Sequence, residues 1–124
     1  MEPVIMIADR NGRMIVYNLV NALQLQEGQI IYTESQNDAR DALKHYPTIK
    51  VVFVNPQLLE HRDDRITEVG AAWPFMRELA TREDILLIST GVCQYKDDPA
   101  TFYYHLSPYV QIIVEIQKRL HPVQ

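Results

Sequence analysis

Short apolar runs alternate along this chain with stretches of helical periodicity. The run VIMIA, residues 4 to 8, is continuously apolar, as expected of a strand buried on both faces. The turn DRNG follows. From Arg13 to Gln26 the residues Ile15, Leu19 and Leu23 recur at four-residue steps, which predicts a helix, with Gly28 as its terminating glycine. QIIYTE, 29 to 34, predicts a second strand. Ser35 followed by Asp38 resembles a capping arrangement, and Ala39, Ala42, Leu43 and Tyr46 mark one face of a helix that Pro47 ends. IKVVFVN, 49 to 55, is the best candidate for the sheet centre.

A long polar stretch, 56 to 72, leads to a helix opened by Pro74, with Trp73, Met76, Leu79 and Ala80 on its apolar side. ILLIS, 85 to 89, predicts a fourth buried strand. The segment 90 to 100 reads as loop, with a short helix begun at Asp98-Pro99. TFYYHL, 101 to 106, predicts a fifth strand, and a last helix runs from near Pro108 to Leu120 with Tyr109, Ile112, Ile113, Ile116 and Leu120 on one face. Five strands separated by helices predict an α/β fold: a three-layer αβα sandwich around a parallel sheet. Right-handed crossovers favour the flavodoxin-like strand order 2-1-3-4-5. The expectation is one domain over residues 1–124, without repeats or linkers.

Composition narrows the function classes. Nearly half of the 124 residues are hydrophobic, enough for a core without staples. No apolar run is long enough to span a membrane and no signal-peptide pattern opens the chain, so a cytoplasmic protein is expected. The single cysteine, Cys93, excludes an internal disulfide framework and fits a reducing compartment. A net charge of −4 with scattered Lys and Arg argues against a nucleic-acid partner, since phosphate binding needs a basic face.

In this fold ligands bind at the carboxyl ends of the strands, between the first and third. Those ends carry Ala8-Asp9, Asn55-Pro56, Ser89-Thr90-Gly91 and Ser107-Pro108-Tyr109. At these residues the chain resembles the receiver (CheY-like) domain of two-component response regulators, over its whole length in element order. The resemblance is clearest in VIMIADRN, ILLIST and YYHLSPYVQIIVEIQKRL. It implies a dismantled phosphorylation site. The family's acidic pair falls on Ala8 and Asp9, its phosphoacceptor aspartate on Asn55, its fourth-strand hydroxyl on Ser89, and its lysine on Ser107. The following proline, preceded in the family by a cis bond, is kept as Pro108. Tyr104 lies near the place of the family's aromatic switch residue.

The chemistry of the residues points the same way. Mg²⁺ requires hard, charged oxygen ligands. Only Asp9 remains where a phosphoryl-transfer site would use about three carboxylates. Each lost carboxylate removes roughly 4 kcal/mol of attraction per unit-charge pair at ~4 Å and an effective dielectric near 20. The amide oxygen of Asn55 is a poor nucleophile, and Ser107 supplies no cation. Neither a catalytic residue nor a metal site nor a cofactor is expected. Compared with the family, the segment from Asn55 to Trp73 is long and that from Thr90 to Ser107 is short, which predicts a long loop after the third strand and a reduced or lost fourth helix.

The remaining candidates carry less. EHRDDR, 60 to 65, crowds Glu60, His61, Asp63 and Asp64 together, but a solvated loop paired through Arg62 and Arg65 explains it more simply than a metal. Cys93 has no activating neighbour, the four histidines share no ligand spacing, and neither G-x-S-x-G nor G-x-G-x-x-G is present. The tyrosines Tyr95, Tyr103, Tyr104 and Tyr109, with Val110 and Val114 on a second stripe of the last helix, predict an interface. The alternative is that the tyrosines only cover the sheet edge and the valines reach the core.

The expectation is a pseudo-receiver that acts without phosphorylation through contact with a protein partner, a second copy of the chain being one such partner. The competing expectation is a small-ligand sensor with a cavity formed by Asp9, Asn55, Ser89 and Ser107. Asn55 itself is expected to tie the strand ends together through Ser89 or Asp9.

Overall fold

A computed structural model describes residues 2–65, 68 and 70–122. The strands are β1 (Ile5–Ala8), β2 (Ile30–Thr33), β3 (Val51–Val54), β4 (Leu86–Ser89) and β5 (Phe102–Tyr103). The helices are α1 (Arg13–Leu23), α2 (Gln36–His45), α3 (Trp73–Ala80) and α4 (Tyr109–Leu120), with a 3-10 turn at Glu27–Gln29. The five strands form one parallel sheet in the order β2-β1-β3-β4-β5, a flavodoxin-like arrangement.

The sheet has this form because its three central strands are buried on both faces and every one of their residues is apolar except Ser89. One face packs Met6, Val52, Val54 and Leu87 against Ala39 and Ala42 of α2 and Phe75, Met76 and Leu79 of α3. The other packs Ile5, Ile7, Phe53 and Ile88 against Ile15 and Leu19 of α1 and Ile112 and Ile116 of α4. The period-two alternation of the strands and the 3.6-residue stripe of each helix thus meet in two separate cores.

Local signals explain most of the boundaries. The Ser35 hydroxyl accepts the Asp38 N–H at 3.1 Å and starts α2, as the sequence predicts. Pro74 lies in the first turn of α3, where its missing N–H costs nothing. The end of α1 differs from expectation. It stops at Leu23 because Gln24 turns left-handed at φ 55°, and the N–H groups of Gln24 and Leu25 both close onto the Val20 carbonyl. Leu25 can then fold back against the core. Gly28 is consequently part of the 3-10 turn and not a helix cap.

The helix expected from Asp98-Pro99 does not form. Asp98 instead accepts the Ala100 N–H at 2.9 Å, and Thr101 N–H reaches the Leu87 carbonyl, which carries the chain straight into β5. No helix lies between β4 and β5, so the fourth helix of the expected plan is lost. β5 itself ends at Tyr103, well before Leu106, because the N–H groups of Leu106 and Ser107 turn back onto the Tyr103 carbonyl.

The long connection from β3 to α3 is anchored by Gln36. Its N–H donates to the Leu59 carbonyl, and its side-chain amide donates to the carbonyls of Leu58 at 2.8 Å and Ala71 at 3.2 Å. Leu58 and Leu59 are buried, so this stretch is not the purely polar loop its composition suggests. At Gly70 the backbone has φ +88°, and a Cβ there would lie 2.5 Å from the Trp73 ring. Ile66, Thr67 and Val69, which belong to the same connection, lie outside the described residues.

Candidate functional site

The sheet register decides which residues meet at its carboxyl edge. Ala8 is level with Val54, and Val54 with Ser89. One residue further on, Asp9, Asn55 and Thr90 therefore share a level. Backbone bonds continue the ladder there: Asn55 N–H to the Ala8 carbonyl and Thr90 N–H to the Val54 carbonyl.

Asp9 is the centre of this cluster and is 5% exposed. Its Oδ2 accepts the Thr90 hydroxyl at 2.6 Å and the Asn55 amide at 3.3 Å, and its Oδ1 accepts the Asn11 N–H at 2.8 Å. Three donors on an ion of this kind hold it in place and repay part of its desolvation. The Asn55 carbonyl oxygen accepts the Gln57 N–H at 2.8 Å, so both ends of the amide are used. Gly12 closes the other side of the β1 turn. A Cβ there would lie 2.5 Å from Ile7 Cγ2 and 3.1 Å from the Asp9 carbonyl oxygen.

The expected tie between Asn55 and Asp9 is present; the one to Ser89 is not. Ser89 is fully buried as the last residue of β4, and its hydroxyl accepts the Gly91 N–H at 3.2 Å. Thr90, at the same strand end but not the hydroxyl expected at the site, supplies one instead. The register could have identified it, since the side chain level with Asn55 is one residue beyond the strand's last apolar-facing position. Ala8 packs its methyl group into the α2–α3 core. Ser107 accepts the Tyr103 N–H at 2.9 Å and fixes the turn after β5. Pro108 caps α4, and the bond before it is trans.

Beside the cluster lies an open cleft of about 320 Å³ formed by Asp9, Arg10, Asn11, Glu34, Asn55, Gln57 and Leu58. Ser89 and Ser107 are not part of it, so the cavity expected from the sequence exists only in its Asp9–Asn55 half. The Tyr32 hydroxyl donates to the Arg10 carbonyl and pins the rim. Burial, and then the neighbouring Glu34 carboxylate, push the Tyr32 phenol up from its ordinary range.

The acidic loop is engaged by its own surroundings. Asp64 accepts the His61 N–H at 3.0 Å, His61 Nδ1 is 2.6 Å from the Asn37 amide, and Arg62 pairs with Asp38 at 2.8 Å. Among the described residues no group of three His, Cys, Asp or Glu side chains is placed to hold a metal ion. Cys93 is exposed.

The six residues expected to form one interface divide between two faces. Tyr95 lies against Trp73, with ring centroids 6.0 Å apart, beside the α2–α3 layer. Tyr103 is half-buried, and burial followed by the Asp98 charge raises its phenol. Tyr104 reaches the other layer. It packs edge-on against Phe53 and Tyr109, and its hydroxyl accepts the Asn18 amide of α1 at 2.9 Å. Tyr109, Val110 and Val114 are exposed on α4, and Met14 and Tyr17 are exposed on the neighbouring α1. The last two lie outside the interface expected from the sequence, because a helix stripe does not reveal which flank faces another helix.

Among the described residues no helix is long and apolar enough to cross a membrane. No family model matches the chain, and no curated protein matches it.

Proposed function

We propose that this chain is a receiver-like signalling module that works by contact with another protein and without aspartyl phosphorylation, in a cytoplasmic pathway of the two-component type. The observation that carries this reading is the hydrogen bond from the Asn55 amide to Asp9. An amide occupies the position, level with Asp9 on the central strand, at which a phosphoacceptor carboxylate would have to stand. The site also fits Mg²⁺ poorly. Asp9 is the single carboxylate of the cluster, both its oxygens already accept protein donors, and the Asn55 oxygen is occupied by Gln57. No step through a metal follows from such a donor set.

The experiment is incubation of the full chain with a small phosphodonor, or with beryllofluoride, in the presence of Mg²⁺. The expected result is no covalent phosphate by intact mass and no saturable change in tryptophan fluorescence. Stoichiometric modification would overturn the reading.

A second reading rests on the cleft beside Asp9. Its polar walls, with Arg10 and Glu34 on opposite charges, suit a small polar molecule bearing both signs. A thermal-shift screen with free amino acids and nucleotides tests it: a concentration-dependent rise in Tm, lost in Arg10→Ala, supports a sensor.

A further inference from the structure

The cleft beside Asp9 does not end at Asn55. Asn55 and Gln57 also line a second recess, of about 120 Å³, on the β4 side of the sheet edge. Its other walls are Pro56, Thr90, Gly91, Val92 and Tyr95. The two recesses differ in chemistry. The first presents the charges of Arg10 and Glu34; the second presents a proline ring, an isopropyl group and a phenol.

The charges of the first recess are not neutralised by the protein. No ion pair among the described residues uses Arg10 or Glu34. One phenol places both: the Tyr32 hydroxyl donates to the Arg10 carbonyl, and the Glu34 carboxylate is near enough to push that phenol up. Asp9 has both oxygens on protein donors, so Glu34 is the anion open to a cation. Opposite charges that flank one cleft without pairing suit a molecule whose own two charges stand between them. A nucleotide fits less well, because its multiply charged phosphate would meet one guanidinium beside two carboxylates.

The second recess is built for a ring. Tyr95 lies against Trp73, with ring centroids 6.0 Å apart and planes tilted by 58°, yet remains 38% exposed. Val92 is 74% exposed at the rim. Gly91 brings its backbone onto Pro56, where a Cβ would lie 3.1 Å from Cγ, and so adds no side chain to the space. An enclosed apolar cavity of about 150 Å³ holds benzene. A recess of about 120 Å³ that is open at its rim takes one six-membered ring, which can stack offset or edge-on against Tyr95.

We infer that the joined recesses bind a free α-amino acid with an aromatic side chain. Its carboxylate meets Arg10, its ammonium meets Glu34, and its ring crosses Asn55 and Gln57 to lie against Tyr95 and Val92. In such a molecule both charges sit on one carbon and the ring is one methylene away, which matches two recesses that share a wall. This rests on the second reading above, the small-ligand sensor, and names the class of its ligand.

The test is titration of the full chain with phenylalanine, followed by Trp73 emission and by Tm, alongside glycine, phenethylamine and 3-phenylpropionate. The expected result is saturable binding of phenylalanine, with each of the other three about tenfold weaker or worse. Arg10→Ala and Val92→Asp, both at exposed positions and checked for folding by circular dichroism, should each weaken phenylalanine by a similar factor. Tyr95→Ala should bring phenylalanine down to the level of glycine. Equal binding of glycine and phenylalanine, indifferent to Val92→Asp, would overturn the inference and leave the sensor reading standing. A response to nucleotides in place of amino acids would do the same. No response to any of these compounds would overturn both.

Discussion

The hydroxyl of Thr90 donates to the buried carboxylate of Asp9 at 2.6 Å, across 81 residues of sequence. Both groups are almost fully enclosed, with Thr90 at 3% exposure. The bond joins the ends of β1 and β4 across β3, and the Asn55 amide joins the same oxygen from β3. A carboxylate at the end of β1 held by two other strand ends and one turn is a structural pin.

Thr90→Val should therefore be costly out of proportion to its size. It leaves Asp9 Oδ2 with only the longer bond from Asn55, and a buried acceptor deprived of a partner costs about 1–3 kcal/mol. Thr90→Ser should retain most of the stability. Urea denaturation of the two variants measures the difference; equal midpoints would show that the bond carries nothing.

Asn55→Asp should not restore phosphorylation, because Ala8 and Ser107 still lack the charges a phosphoryl site needs. It should instead set two carboxylates about as close as the present 3.3 Å contact. Like charges at that range raise a carboxyl pKa, so the folded variant would hold a proton that the unfolded chain has released. Its stability should be about 1–3 kcal/mol below wild type at neutral pH and should recover as the pH falls towards 5. Denaturation midpoints across that range test the sign, and beryllofluoride with Mg²⁺ tests the phosphorylation claim.

Gly70→Ala combines a left-handed backbone with a Cβ placed 2.5 Å from the Trp73 ring. Destabilisation of about 1–3 kcal/mol is expected. Because Trp73 is the only tryptophan, its fluorescence reports the displacement directly. Unchanged emission together with unchanged stability would show that the contact is relieved at no cost.

Alkaline pH should loosen the fold through its tyrosines. Burial raises the phenols of Tyr32, Tyr103 and Tyr109, with Glu34, Asp98 and Tyr104 respectively adding to the effect. A folded pKa above the unfolded value of about 10 means stability that is complete below that pH and lost as pH rises through the folded values. Phenolate absorbance should therefore show a late-titrating class in the folded protein. Tyr32→Phe should remove one member of that class; a single homogeneous titration near the free value would refute the assignment.

The residue pattern alone determined the architecture. Buried strands read as apolar runs, Ser35 and Pro74 start their helices by local chemistry, and right-handed crossovers leave few orders for five such strands. These are short-range rules, so they can be read from a short window of residues. The Asn55–Asp9 tie was also legible, because both residues stand just beyond the ends of adjacent strands. Tertiary structure decided what depends on register and on competition between distant partners. One residue of register moved the hydroxyl from Ser89 to Thr90. A capping bond at Asp98 replaced a helix with a loop, and Gln36 folded Leu58 and Leu59 into the core from a stretch that reads as polar. The six interface residues are near one another in sequence, but proximity in sequence does not settle which layer a loop or turn residue reaches. The path of the loop after β4 puts Tyr95 beside Trp73, and the turn after β5 puts Tyr104 beside α1.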